Sequence, residues 1–358
     1  MVMVSEQVLI VGGGVMGLSI ALALKQKGLT SRVLCRNPQE AASLAAAGML
    51  APQAEGLTAG SMRDLCMQSR DLYPTWVKDL EALARVSTGY WASGILAPSL
   101  NSPDSSALNH DRTQWADSEK MRAIQPTLSD EVQGGWWFPE DAQVDNRKLY
   151  RALQAAVDVQ NIPIQITTVT EFIRAADRIT SVMTTSGELQ AEHYVLATGA
   201  WSQDLLPIPV KPRKGQMLAV TMPMEDGLPL KTVLFGEDIY LVPRQDGRLV
   251  IGATSEDVGF LPGNTATGIM QLLQGATRLV PAIAHWPIEE FWYGYRPVTP
   301  DDLPILGESQ YRNLTYATGH GRNGILLTPI TGKLIADRIA TQISHPLLAA
   351  FHWSRFIP

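Results

Sequence analysis

The sequence predicts a mixed α/β fold, a helix-covered parallel sheet with a second, mainly antiparallel sheet inserted into it. Three segments carry that expectation. Val8 to Leu24, VLIVGGGVMGLSIALAL, reads as a buried strand, a glycine turn and the start of a helix. His193 to Trp201, HYVLATGAW, is an apolar run closed by Ala-Thr-Gly-Ala, as a buried parallel strand requires when it stops against a ligand. From Gln216 to Ala253 the pattern changes to short alternating stretches, Met217 to Val220, Ile239 to Val242 and Arg248 to Ile251, which predict antiparallel strands.

The glycine turn is Gly12-x-Gly14-x-x-Gly17. Gly12 permits a tight turn, Gly14 lets the backbone approach a pyrophosphate, and Gly17 lets helix and strand pack closely. Phosphates then rest on the positive end of the helix, which points to a bound dinucleotide. The second strand is expected over Ser31 to Arg36. Many dinucleotide sites end this strand on an acidic residue bonded to ribose. Here it reads Val33-Leu34-Cys35-Arg36-Asn37, with no carboxylate before Glu40. Arg36 fits a 2′-phosphate and hence NADP; Arg36 and Asn37 equally fit the ribose or the adenine face, and this position alone does not choose.

The remaining elements follow in order. A long helix is expected from Met62 to Val86. A broken stretch from Ser87 to Phe138, with the polar segment Asn101 to Asp111, reads as a surface excursion with short strands. A helix over Asn146 to Gln160 leads to a strand over Pro163 to Thr168. A hairpin of Glu171 to Ile173 and Ile179 to Thr185 is expected, with its turn at Ser186-Gly187. After the antiparallel stretch come a helix over Thr267 to Leu279 and strands over Phe291 to Tyr295 and Asn313 to Ala317. The last helix is expected from Ile325 to Ile343.

With 358 residues, 45% of them hydrophobic, the chain can bury a large core in two structural units. A formal net charge of −6 and the lack of a lysine or arginine run argue against nucleic acid as a partner. Apolar runs such as Gly13 to Leu24 are too short and too glycine-interrupted to span a bilayer, and no signal peptide is expected. Two cysteines, Cys35 and Cys66, make no disulfide framework and suit a reducing cytoplasm, the expected location.

Further motifs occur in a fixed order: GGGVMG, Ala45 to Leu50 (AAAGML), ATGAW, Tyr240 to Arg244 (YLVPR), GRLVIGAT, Gly294 to Pro297 (GYRP), Thr299 to Asp301, Leu303 to Gly307 (LPILG) and Gly319 to Ile325 (GHGRNGI). In this order the chain resembles the D-amino-acid oxidase and sarcosine oxidase superfamily, and AAAGML and HGRNGILL are similar to its glycine oxidase branch of thiamine biosynthesis. The resemblance implies FAD and no metal. It implies a discontinuous FAD-binding domain of the glutathione-reductase type, residues 1–86, 139–212 and 291–358. An inserted substrate domain, residues 87–138 and 213–290, would roof the isoalloxazine with a mainly antiparallel sheet. Sarcosine oxidases of the superfamily tether FAD through a cysteine in the C-terminal half. This chain has none after Cys66, so FAD is expected to be non-covalent.

Carried over residue by residue, Val15 and Met16 match the turn under the pyrophosphate, beside Gly12, Gly14 and Gly17. Cys35 and Arg36 match the ribose-contacting pair, although many relatives carry Glu where Cys35 stands. Ala42 and Ser43 match positions near the phosphates, and Ala47, Gly48 and Met49 run past the flavin. Val169 matches an adenine contact, and Thr198 and Gly199 close the cofactor-facing strand end. His320, Gly321, Arg322, Asn323, Gly324, Ile325 and Leu326 match the loop around the flavin's pyrimidine edge, with a helix end that stabilises a reduced, anionic ring.

An amino-acid oxidase must hold a carboxylate while its Cα–H faces the flavin. The planar fork of a guanidinium does this, because it fixes rotation as well as position. Arg296 matches the family's carboxylate-binding arginine, Tyr240 its partner hydroxyl and Arg322 a second arginine at the pocket. The competing readings are an ion pair of Arg296 with Asp301 or Asp302, Tyr240 as a packing aromatic, and Arg322 as a brace of the flavin loop. No catalytic side chain is required, since a neutral amine drives hydride from Cα to the cofactor. His320 reads as a positional contact and Met49 as a pocket wall.

The reaction implied is oxidation of glycine, sarcosine or small D-amino acids to an imine, with O2 reduced to H2O2. The imine would feed a thiazole synthase, and relatives suggest a homo-oligomer, a tetramer. The alternatives are a dehydrogenase using a non-oxygen acceptor and a flavin-binding assembly partner. A mere scaffold has no use for the Arg296, Tyr240 and Arg322 set.

Overall fold

The computed structural model describes residues 6–101 and 114–357. Its first strand, Glu6–Val11, lies inside a six-stranded sheet, and successive side chains leave it on opposite faces. Val8 and Ile10 pack beneath the helices Val15–Gln26, Ser61–Ala84, Asn146–Val159 and Thr328–Thr341, whereas Leu9 and Val11 pack against a small sheet carrying Phe172, Ile179 and Val182. Burial on both faces is why the strand reads as a continuous apolar run. The strand order is Ile305–Glu308, Leu314–Thr318, Ala191–Leu196, Glu6–Val11, Ser31–Cys35, Ile164–Ile166, parallel except at the Ile305–Glu308 edge.

The small sheet corrects the expected hairpin. Val169–Ala175 pairs with Arg178–Thr184 across Ala176-Asp177, and the chain turns again before Gly187 into a third strand, Gly187–Leu189. Three residues are too few to show a period, so this strand left no signal. The last helix also starts later than expected, at Thr328. Pro329 occupies its first turn, where a missing N–H costs nothing, and Ile325 to Leu327 are buried while still in the preceding loop.

A second sheet of eight strands runs Ile288–Val298, Lys211–Thr221, Arg248–Gly252, Tyr240–Pro243, Val233–Phe235, Ile95–Ser99, Gly134–Phe138, Gln114–Asp117. Only the pairing of Val233–Phe235 with Ile95–Ser99 is parallel. The short strands expected between 87 and 138 are present, but the described part of this stretch is not a surface excursion, for Ile95, Leu96 and Phe138 are fully buried. The polar segment expected over 101–111 lies, beyond Asn101, outside the described residues. Two expected domain boundaries, after residues 212 and 290, fall inside strands that pair with each other, with a shift of register beside Glu290. One face of this sheet packs Leu218, Val220, Leu241 and Ile251 under the helix Ala266–Leu279. The other turns Met217, Val242 and Val250 towards Ala47 and Ala51 of the first unit. No helix among the described residues is long and apolar enough to cross a membrane.

Arg244, buried at the end of Tyr240–Pro243, joins the two sheets. It donates to the Ala47 carbonyl at 2.6 Å, the Gln143 side-chain oxygen at 2.8 Å and the Val144 carbonyl at 3.2 Å. Arg244→Met would orphan these buried acceptors at about 1–3 kcal/mol each. The expected outcome is a clearly lowered thermal midpoint, which Arg244→Lys restores only in part because an ammonium lacks the fork. An unchanged midpoint in the methionine variant would show that the sheets are held together elsewhere.

Candidate active site

The carboxyl ends of the parallel strands open into a cleft of about 1420 Å³ roofed by the eight-stranded sheet. Small-molecule sites usually occupy roughly 300–1,000 Å³, so this one has room for an extended ligand together with a small one. Its floor is the glycine turn. Gly12 has φ +123°, and a Cβ there would lie 2.2 Å from the Ala197 carbonyl oxygen. Gly14 caps the helix Val15–Gln26 without any side chain. The Val15 N–H donates to Ser43 Oγ at 3.2 Å, and Gly12, Gly14, Val15, Met16, Ala42 and Ser43 all face the cleft. A bare helix N-terminus of this kind is an anion cradle.

At one end of the cleft stand Cys35, Arg36, Val169, Thr198 and Gly199. Burial pushes the Cys35 thiol up, so it does not replace an acid. Glu40 does. Asn37 caps the turn Pro38–Glu40 through its own side chain, which swings Glu40 back to the strand end. There Arg36 Nε donates to Glu40 Oε2 at 3.0 Å and Asn37 Nδ2 to Oε1 at 3.2 Å. The Arg36 guanidinium lies 4.5 Å above the Trp201 ring.

At the other end the structure brings Ala47, Gly48, Met49, Tyr240, Arg296 and Arg322 to one wall. Arg296 lies over Gly215, where a Cβ would stand 2.6 Å from Nη1, and it donates to the Thr254 carbonyl at 3.1 Å. The ion pair weighed for it is not formed. Asp301 is held by Arg355 at 2.7 Å, and no carboxylate among the described residues pairs with Arg296. Burial pushes the Tyr240 hydroxyl up, opposed by the nearby Arg296 guanidinium, and the hydroxyl lies 3.8 Å from Met217 Sδ.

Arg322 has a carboxylate partner that no sequence pattern indicated. Glu55 Oε2 lies 3.1 Å from Arg322 Nε and accepts from Asn323 Nδ2 at 2.9 Å. Burial raises the Glu55 carboxyl above its usual range, and Arg322, Asn323 and Arg296 pull against that shift. Two residues expected at the cofactor do not reach the cleft wall. Gly17 instead lets the helix settle onto the turn, since a Cβ there would meet the Gly12 carbonyl at 1.9 Å. Leu326 is buried in the helix-side core, its carbonyl accepting from Ser69 at 2.6 Å.

The family model of the DAO group, FAD-dependent oxidoreductases, matches residues 7–338. The chain belongs to this family. The bifunctional protein ThiO/ThiG of Trichormus variabilis is 52% identical over 98% of this chain and 55% of its own length. The chain thus spans about half of that relative. Glycine oxidase of Geobacillus kaustophilus is 34% identical over 98% of this chain and 97% of its own. The crystal structure of glycine oxidase from that organism matches with a TM-score of 0.91 at 32% identity, covering 99% of each chain.

The cofactor of this oxidoreductase is FAD, and the cleft suits it. A helix end that has no side-chain cap at Gly14 and no acidic residue in its first turn suits a pyrophosphate's charge, and Glu40 offers a carboxylate acceptor at the strand end. His320 faces the same cleft, with Nε2 3.2 Å from Thr331 Oγ1. Burial lowers its pKa from 6.5 to about 3, so it is a neutral contact at ordinary pH. On acidification from about 6.5 towards 3, the unfolded chain takes up a proton that the folded one refuses. The wild type should therefore lose stability relative to His320→Gln over that window, measured by urea unfolding at a series of pH values. A difference independent of pH would mean that the imidazole is not buried as described.

Proposed function

We propose that this chain oxidises glycine, and with it sarcosine and small D-amino acids, to the imine, with O2 reduced to H2O2. The observation that carries this reading is Arg296, a guanidinium without a carboxylate partner, beside the Tyr240 hydroxyl and open to a cleft that also holds an anion cradle. The names of the relatives agree with it. Arg296 binds the substrate carboxylate bidentately and Tyr240 donates to the same group, which together fix the direction of Cα–H. FAD, when bound, supplies the hydride acceptor.

Gly12, Gly14, Val15, Met16, Ala42 and Ser43 hold the pyrophosphate end of FAD. Cys35, Arg36 and Val169, with Glu40, hold the adenosine, and Thr198 and Gly199 border it. Ala47 to Met49 and His320 to Ile325 border the ring. The six-stranded sheet belongs to an FAD domain, and the eight-stranded sheet is the core of the substrate domain. His320, being neutral and buried, takes no part in proton transfer. The substrate amine must arrive neutral, so kcat/KM should rise with pH until the amine is deprotonated. The partner that consumes the imine is a thiazole synthase; the name of the longer relative, bifunctional ThiO/ThiG, is in keeping with such a link.

The deciding experiment is a substrate panel on the purified yellow protein. Anaerobic glycine should bleach its visible absorption, and air should restore the colour with release of peroxide. Bleaching without recovery in air would indicate a dehydrogenase. No bleaching by glycine, sarcosine or D-alanine would remove the amino-acid reading. Arg296→Ala should raise KM for glycine by the equivalent of roughly 2–4 kcal/mol of lost binding, with FAD content retained. Arg296→Lys should recover only part of this. Wild-type kinetics in the alanine variant would show that another group binds the carboxylate.

A further inference from the structure

Glu55 is a carboxylate enclosed within a site built to receive a carboxylate. Its side chain is only 7% exposed, and the cations acting on it are Arg322 and Arg296, the two that face the substrate end of the cleft. We propose that Glu55 cancels one of these two positive charges and thereby selects substrates with one carboxylate over those with two. The inference rests on the amino-acid oxidase reading above and adds to it a determinant of specificity.

The placement is built rather than incidental. Glu55 follows Gln53 and Ala54 in a turn whose N–H groups both donate to Asp141 Oδ2, at 3.2 and 2.8 Å. Arg70 clasps the same turn, donating to Gln53 Oε1 at 2.7 Å and to Asp141 Oδ1 at 3.3 Å. With the backbone donors of the turn thus occupied, the Glu55 side chain is left to the cleft, where Asn323 and Arg322 meet its Oε2.

Burial works against the Glu55 charge, but the Arg322 guanidinium at 3.1 Å and the Asn323 donor at 2.9 Å favour the carboxylate form. With Glu55 ionised, the set of Arg296, Arg322 and Glu55 carries +1. That complements an amino acid whose amine is neutral and whose only charge is its carboxylate. Other charges on the wall do not upset the balance. Asp204, Glu237, Asp238 and Asp302 are exposed to water, Glu256 lies 3.8 Å from Lys214, Asp301 is held by Arg355, and Arg36 and Glu40 pair with each other. Arg213 stands opposite Arg296 across the strand pair but is not among the charges that act on Glu55. In a partly desolvated cleft, a second substrate carboxylate near Glu55 meets repulsion that water screens poorly.

The test uses the holoenzyme and two readouts. One is the dissociation constant of unreactive acids, acetate against malonate, from perturbation of the flavin spectrum. The other is kcat/KM for glycine against iminodiacetate, a glycine carrying a second carboxylate on its nitrogen. Glu55→Gln keeps the size and an acceptor for Asn323 while removing the charge. It should shift both ratios towards the dianion by tenfold or more, with FAD content unchanged. Glu55→Asp should retain the wild-type preference. Arg322→Met removes a positive charge from the same pair and should shift the ratios the other way, which tests the inference even if the glutamine variant folds poorly. Equal weakening of both acids, or loss of FAD without a change of ratio, would show that Glu55 only braces the loop and would overturn the proposal. A wild type that binds acetate but oxidises no glycine would instead defeat the oxidase reading, and the binding ratios would still judge Glu55.

Discussion

The buried guanidinium of Arg244 is the contact on which the cleft depends. The six-stranded sheet alone provides a floor and the eight-stranded sheet alone provides a roof. Arg244, at the end of a roof strand, ties the roof to the segments around Ala47 and Gln143-Val144 that flank the floor, donating to the Ala47 and Val144 carbonyls and the Gln143 side-chain oxygen. Burying a charge is costly unless its hydrogen bonds are made, so this side chain tolerates few other geometries. Weaker links reinforce it. Arg248 reaches Asp145 at 2.8 Å, and Arg147 lies beside Glu290 and over the Trp292 ring. Arg244 also holds the Ala47 carbonyl, and so the register of the Ala47 to Met49 run along the cleft.

Within that frame the cleft presents placed charges at both ends. One end of the cleft presents the N-terminus of a helix with no acidic residue in its first turn. The other presents two arginines and a single carboxylate. The His320 imidazole, a positional contact in the sequence reading, is buried so deeply that it stays neutral at ordinary pH. Such an arrangement suits a reaction whose difficult step belongs to the cofactor, leaving orientation and electrostatics to the chain.

The two acids of the cleft show how local geometry changes what a residue means. Glu40 lies five positions beyond the strand end where an acid is usual, yet a three-residue turn capped by Asn37 returns it there. Glu55 lies in an irregular turn with no period and no motif, and only Asp141, far away in sequence, explains why it faces inward. Neither carboxylate belongs to a regular element, and in both cases the partner that orients it matters more than the position in the chain.

The parts legible in the sequence were those whose signal is local. The Glu6–Val11 strand, its glycine turn and the helix Val15–Gln26 could be read because burial on both faces and close backbone approach leave marks within a few residues. The same holds for the Ala191–Leu196 strand with Thr198-Gly199 and for the helices Asn146–Val159 and Ala266–Leu279. Elements that exist through pairing at a distance could not be read this way. Lys211–Thr221 and Ile288–Val298 extend through polar residues and glycines because each supplies the other's hydrogen bonds, and Gly134–Phe138 is a strand because Ile95–Ser99 lies beside it. By itself the sequence determined the fold class, the FAD cofactor and the glycine turn at the start of the first helix. Only the tertiary structure decided which charges face one another, since the pairing of Arg322 with Glu55, the freedom of Arg296 and the burial of His320 all depend on chain segments brought together by packing.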